Sequence, residues 1–151
     1  MLKSMDEAMS VAMLDLIKDL MKRNQARQFF NSPVDWRTLK LLNYPLVIKD
    51  PMDLGTIRKH LEADMGKSFA DKRYQFAEEF AHDVRLVWKN SFIFWSHVPT
   101  QAVFKGAKAL SDIFEQKLVA AYRPAELQGP PCSLKVRTPL RSSSRLRDRR
   151  R

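Results

Sequence analysis

The chain has 151 residues, of which 44% are hydrophobic, and this length suits one domain with a packed core better than two full domains. Its four glycines are too few for a barrel or sandwich of many short strands, and its single cysteine excludes a disulfide framework and a multi-cysteine zinc site. No apolar run approaches the roughly 18 residues of a membrane span. Acidic residues interrupt the apolar N-terminus, so we interpret it as a helix rather than a signal peptide.

The net charge of +10 is concentrated at the C-terminus. Residues 123–151 carry nine basic and two acidic side chains, whereas residues 1–122 carry 18 and 15. The C-terminal segment also has four prolines and no aromatic residue, so we predict a disordered basic tail after a folded domain at 1–122. Such a tail is either simply solvated or binds polyanions, as in nuclear localisation or contact with nucleic acid.

The first predicted helix spans about 5–28. Ser4 and Glu7 have the spacing of a capping box at its start. A single apolar stripe at a spacing of three to four residues follows, formed by Met9, Met13, Leu16, Ile17, Leu20 and Met21.

A long irregular stretch is predicted over about 29–52, because Pro33, Pro45 and Pro51 each bias the preceding residue away from helix. This stretch is nevertheless rich in large apolar side chains, so it must pack on the rest of the domain. Long packed loops often carry function, and we expect the binding site here.

Three more helices are predicted at about 54–64, 69–94 and 100–122. Asp53 is expected to cap the first of them and Ser68 the second. The predicted fold class is therefore all-α, a four-helix bundle with antiparallel neighbours and a long first inter-helix loop.

The sequence contains none of the common catalytic or phosphate-binding motifs. His60, His82 and His97 are not spaced from one another, or from Cys132, as a local metal motif requires. We therefore predict a protein that is not an enzyme and needs neither a cofactor nor a metal.

Three segments stand out, namely FNSPVDWRTLKLLNYPLVIKDPMDLGTIRKHLE (30–62), FAHDVRLVWKNS (80–91) and AVFKGAKALSDIFEQKL (102–118). They resemble the bromodomain family, the acetyl-lysine readers of chromatin. The resemblance covers about 5–122 and implies a left-handed four-helix bundle with a pocket between the first loop and the last. It also implies a nuclear protein that binds acetylated peptides of histones or other nuclear proteins and regulates transcription, as a monomer within a larger complex.

The resemblance implies which residues form the acetyl-lysine pocket. Tyr44 would hold a water molecule that bonds the acetyl oxygen, and Val103 would lie at the entrance. The full set comprises Phe30, Val34, Leu39, Leu41, Tyr44, Ser91, Phe94, Trp95, His97 and Val103.

The sequence departs from the family at the residue that normally anchors the acetyl group. Members usually read N-C-x-x-Y-N, and the last Asn donates to the acetyl oxygen. Here residues 90–95 read NSFIFW, so counting from Asn90 places Trp95 at the anchor, whereas counting back from the last helix places His97 there.

Three functions remain open from the sequence. The chain is either a divergent acetyl-lysine reader, or an interaction or scaffolding module whose slot is occluded by Trp95, or a helical nucleic-acid-binding protein that uses the basic tail. The apolar loop motifs favour the first.

Overall fold

The structure is a computed structural model that describes residues 2–122. The helices are α1 (Glu7–Met21), α2 (Asn24–Phe29), α3 (Tyr44–Val47), α4 (Leu54–Asp64), α5 (Ala77–Phe94) and α6 (Ala102–Tyr122), with a short 3-10 helix at Phe69–Asp71. The described part contains no strand, and this confirms the predicted all-α class. The predicted disordered tail at 123–151 lies outside the described residues.

The predicted start of the first helix is wrong. Helix α1 begins after Asp6, whose Oδ1 accepts the backbone N–H of Met9 at 2.8 Å. Ser4 instead forms an isolated antiparallel bridge with Phe76, and the neighbouring Met5 N–H donates to the carbonyl of Gln75. Pairing with a segment some seventy residues away therefore holds Ser4 in an extended conformation, and Asp6 takes over the cap.

The predicted first helix is also divided in two. Arg23 adopts an extended conformation (φ −77°, ψ 149°) between α1 and α2. The side-chain amide of Asn31 donates to the Met21 carbonyl at 2.9 Å, which satisfies one of the carbonyls left free at the end of α1. The break redirects the chain and brings Phe30 into the core.

Helix α5 starts later than predicted. The buried Asp64 carboxylate accepts the backbone N–H groups of Arg73 and Tyr74 at 2.9 and 3.0 Å, which fixes an irregular segment before the helix. Glu79 then accepts the N–H of Phe76 at 3.0 Å at the true start. Ser68, the predicted cap, lies before the 3-10 helix instead.

The core lies between the long helices α1, α4, α5 and α6. The predicted face of α4 is confirmed, because Leu54, Ile57 and Leu61 are all buried and Asp53 accepts the Thr56 N–H as N-cap. Helix α6 packs on α5 through an edge-to-face contact between Phe114 and Phe80. Within residues 2–122, no helix is long and apolar enough to span a bilayer.

Candidate functional site

A loop at 30–53 forms one side of the site and is ordered by its own backbone bonds. The Asp35 carboxylate accepts the Thr38 N–H, and the Leu41 N–H donates to the Trp36 carbonyl at 2.8 Å. Lys40 adopts a positive φ of 58° at this turn, an unusual conformation for a residue with a side chain. The turn leads directly into the short helix α3, which begins at Tyr44.

The two ends of this loop are tied to the helices beneath it. The N–H of Leu54 donates to the Phe30 carbonyl at 2.8 Å, and the N–H of Gly55 donates to the Asn31 carbonyl at 3.2 Å. From α5, the buried Asn90 amide donates to the Asp50 carbonyl at 2.8 Å. The loop is therefore held open over the bundle by bonds at its base.

A cavity of about 330 Å³ lies between this loop, α5 and the start of α6. Its volume is in the range of pockets that take small ligands or single side chains. Nine of the ten predicted pocket residues line it, namely Phe30, Val34, Leu39, Leu41, Tyr44, Ser91, Phe94, Trp95 and Val103.

The structure does not place His97 in this cavity, contrary to one of the two alignments drawn from the sequence. Helix α5 ends at Phe94, and the Val98 N–H bonds back to the Trp95 carbonyl at 2.9 Å. This turn leaves the His97 side chain exposed, outside the cavity wall. Trp95 is the residue that stands at the wall.

Trp95 forms part of the wall and leaves the cavity open. Its ring lies edge-on to Phe94, with the ring centroids 5.1 Å apart, and packs on the buried cluster of Tyr44, Ile48 and Phe94. No described residue forms a hydrogen bond with its indole N–H. The occluded slot considered from the sequence is therefore not observed.

Tyr44 is held with its ring in the wall. Its ring centroid lies 4.9 Å from that of Phe94, and the side chain is only 8% exposed. Burial raises the pKa of the phenol, so the hydroxyl stays protonated at neutral pH. No hydrogen bond to it is formed within residues 2–122, and the oxygen is not sealed from solvent, so it is available to a ligand or a water molecule.

Four other polar side chains of the wall are engaged within the protein. The Asn90 amide bonds the Asp50 carbonyl, and the Ser91 hydroxyl lies 3.5 Å from the Val103 carbonyl. Both oxygens of Asp53 accept from Thr56, and the Asn31 amide bonds the Met21 carbonyl. These groups stabilise the frame of the cavity.

Several lining residues were not predicted. Asn90 and Val87 lie on α5 about one and two turns before Phe94, so helical spacing from Phe94 would have found them. Met52 and Asp53 reach the cavity only because the loop folds back on α4, and no local pattern indicates this. Among the described residues, no cluster of side chains suits a metal ion.

A helical bundle with a mostly apolar cavity under a long loop has room for a side chain of another molecule. The bromodomain family model matches residues 13–109. The chain therefore belongs to the bromodomain family.

Two of the relatives are named as transcription factors and a third as a bromodomain-containing factor. The chain is 36% identical over 113 residues to Transcription factor GTE3, chloroplastic, of Arabidopsis thaliana, covering 75% of this chain and 22% of that protein. It is 37% identical over 105 residues to Transcription factor GTE5, chloroplastic, of the same plant, covering 70% and 19% respectively. Bromodomain-containing factor 1 of Candida albicans is 42% identical over 80 residues, covering 52% of this chain and 10% of that protein.

Proposed function

We propose that this chain is a divergent reader of acetylated lysine on histones or other nuclear proteins. The single observation that supports this most strongly is the open cavity beside Tyr44, whose hydroxyl has no partner among the described residues. The bromodomain family is a non-enzymatic reader module, in agreement with the absence of catalytic motifs from the sequence.

The chemistry of the cavity suits a neutral side chain. Acetylation removes the charge of lysine and leaves an amide on an aliphatic stem. Val34, Leu41 and Val103 would contact the stem. An unmodified ammonium would lose its hydration against the apolar part of the wall. The two lining carboxylates, Asp35 and Asp53, already accept hydrogen bonds from Thr38 and Thr56.

Trp95 makes this a weak reader. An Asn anchor would bond the acetyl oxygen directly, and losing such a bond costs roughly 1–3 kcal/mol, or about 5- to 150-fold in affinity. Tyr44 remains as the donor, directly or through a bridging water molecule, and a water-mediated bond is nearly as favourable in enthalpy. We therefore expect acetyl-dependent but low affinity.

The test is an NMR titration of the labelled chain with two histone-tail peptides that differ only in acetylation of one lysine. Acetylation-dependent shifts should be concentrated at Tyr44, Phe94 and Trp95. The absence of any such difference at millimolar peptide would reject the reader function.

A second candidate is an interaction or scaffolding module whose binding does not depend on acetylation. The observation that favours it is the exposed apolar surface of the loop, where Leu42 and Leu46 are 69% and 72% exposed. Under this function the two peptides would shift the same resonances equally, or a partner would bind through the leucines without any modification.

We further propose that the protein acts in the nucleus on chromatin, although two relatives carry the word chloroplastic in their names. Imaging of the tagged chain, with and without replacement of Arg149, Arg150 and Arg151 by Gln, tests both the location and the part played by the tail. Contact of the tail with nucleic acid predicts binding that falls steeply with salt and is weakened by the same replacement.

A further inference from the structure

We propose that this cavity prefers lysine side chains carrying an acyl group longer than acetyl, such as propionyl or butyryl. The proposal rests on the proposed function, because it concerns the ligand of the same site. It follows from the apolar surface that the wall presents to an acyl group and from the lack of a fixed side-chain amide that would bond the acyl oxygen.

The cavity offers the end of the acyl chain chiefly apolar surface. In the second half of α5 and at the start of α6 the wall is formed by Val87, Phe94, Trp95 and Val103. Phe30 also lines the cavity, and its ring packs edge-on to the buried Trp88 at a centroid distance of 5.4 Å. Surface of this kind stabilises each additional methylene group that it removes from water.

The wall lacks a fixed side-chain amide that would donate a hydrogen bond to the acyl oxygen. The amides of Asn31 and Asn90 donate to backbone carbonyls of the protein, and the Ser91 hydroxyl faces the Val103 carbonyl. The Gln28 amide and the Ser32 and Thr38 hydroxyls also line the cavity, but they belong to exposed residues. Among the buried and half-buried lining residues, the donors without a partner in the described chain are the Tyr44 hydroxyl and the Trp95 indole N–H. Neither is a side-chain amide that would hold the oxygen at one depth.

Without that anchor, the depth of the acyl group is set by packing. In a site with an amide anchor, the bonded oxygen fixes where the acyl carbons begin, and a longer chain must fit the space left beyond. Here the acyl chain can move along the apolar wall until most of its apolar surface is buried. Each added methylene is then worth about fourfold in affinity, for as long as the cavity has room.

The same geometry disfavours a methylated, still cationic lysine. A cation bound by aromatic rings lies over their faces, within about 6 Å of each centroid. The rings of Tyr44, Phe94 and Trp95 instead pack on one another, with successive centroids 4.9 and 5.1 Å apart. Arg27 lines the cavity together with Asp35 and Asp53, so charge does not select against a cation here, and the packing of the rings is what disfavours it.

The experiment measures the affinity of the full chain for one peptide sequence with its central lysine unmodified, acetylated, propionylated, butyrylated or trimethylated. We expect the dissociation constant to fall about fourfold from acetyl to propionyl and again to butyryl. Butyryl binding no tighter than acetyl would overturn the proposal while leaving acetyl-lysine reading intact. Tightest binding of the trimethylated peptide would overturn it in favour of a cation site. If no acylated peptide binds, the proposed function fails and this proposal fails with it.

Variants at and just after the end of α5 test whether Trp95 causes the preference for longer acyl groups. Trp95→Asn supplies an amide donor, and we expect it to strengthen acetyl binding and to reduce the ratio of butyryl to acetyl affinity. Trp95→Phe keeps an apolar ring and should keep the preference for the longer acyl chain. It provides a second test of residue 95 if the Asn variant misfolds. Ser96→Asn introduces the same amide at the next, exposed position and should leave the ratio unchanged. An unchanged ratio in a folded Trp95→Asn chain would refute the role of Trp95.

Discussion

The substitution Gly55→Ala tests how closely helix α4 approaches the segment that follows α2. The Gly55 N–H bonds the Asn31 carbonyl at 3.2 Å, and a Cβ atom on residue 55 would collide with that same carbonyl oxygen. It would also lie 3.2 Å from Oδ2 of Asp53. A backbone oxygen cannot rotate away as a flexible side chain can, so one of the two segments must shift.

The magnitude follows from two costs and one gain. Overpacking of this kind costs about 1–3 kcal/mol, and weakening of the backbone bond adds about 1 kcal/mol. The better helix propensity of Ala returns up to about 1 kcal/mol. The free energy of unfolding should therefore fall by about 1–4 kcal/mol.

Gly106→Ala is the matched control on α6. Its new Cβ would lie 3.2 and 3.4 Å from side-chain atoms of Gln25, a contact that needs an adjustment of only a few tenths of an ångström. Residue 106 is inside a helix, where Ala is favoured over Gly by about 1 kcal/mol. The two effects oppose each other, and the net change should stay below about 1 kcal/mol.

Urea unfolding followed by circular dichroism at 222 nm, a standard helix wavelength, measures both variants, and thermal melts provide a second readout. For a domain of this size each kcal/mol shifts the melting temperature by about 4 °C. The reasoning would be refuted by a Gly55→Ala chain as stable as the parent, or by a Gly106→Ala chain destabilised as strongly as Gly55→Ala.

Three further predictions concern single side chains. Tyr44→Phe keeps the ring but removes the unpaired hydroxyl, so calorimetry should show acetyl-peptide affinity reduced about 2- to 10-fold with unchanged stability; full affinity would exclude the hydroxyl from binding. His97→Asn should leave affinity within about twofold, because the residue is exposed outside the cavity, and a gain in acetyl binding would instead support the alignment that places the anchor there. Burial lowers the pKa of His60 below its ordinary value of 6.5. As the pH falls, the unfolded chain therefore binds a proton at His60 before the folded chain does. The free energy of unfolding should decline as the pH falls below about 6.5. In melts recorded over a range of pH, the His60→Gln variant should lose this part of the decline. A stability profile parallel to that of the parent chain would contradict the role of His60.

Local signals were enough to predict some elements. Helix α4 was predicted with the observed bounds, because its cap Asp53 and its buried face of Leu54, Ile57 and Leu61 all lie within nine residues. The break before α2 and the start of α5 were missed, because distant partners decide them. Asp64 fixes the segment before α5 through the N–H groups of residues nine and ten positions away.

More of the cavity wall could be predicted from the sequence than of the hydrogen bonds that hold the wall in place. The resemblance to bromodomains indicated Val34, Tyr44 and Trp95, all of which line the cavity. It did not indicate that the Asn90 amide would bond the Asp50 carbonyl, forty residues away. Counting residues also left Trp95 and His97 as equal candidates, because a count cannot show where the turn after α5 directs each side chain.

The bonds that hold the cavity open do not involve residue 95. The Phe30 and Asn31 carbonyls are bonded by the N–H groups at the start of α4, and Asn90 ties α5 to the loop. Trp95 adds its ring to the wall at the C-terminal end of α5, where the helix is already ending. The frame can therefore persist while the anchor changes, so replacement of Trp95 should alter the choice of acyl group and should cost stability only through the packing of its ring on Tyr44, Ile48 and Phe94.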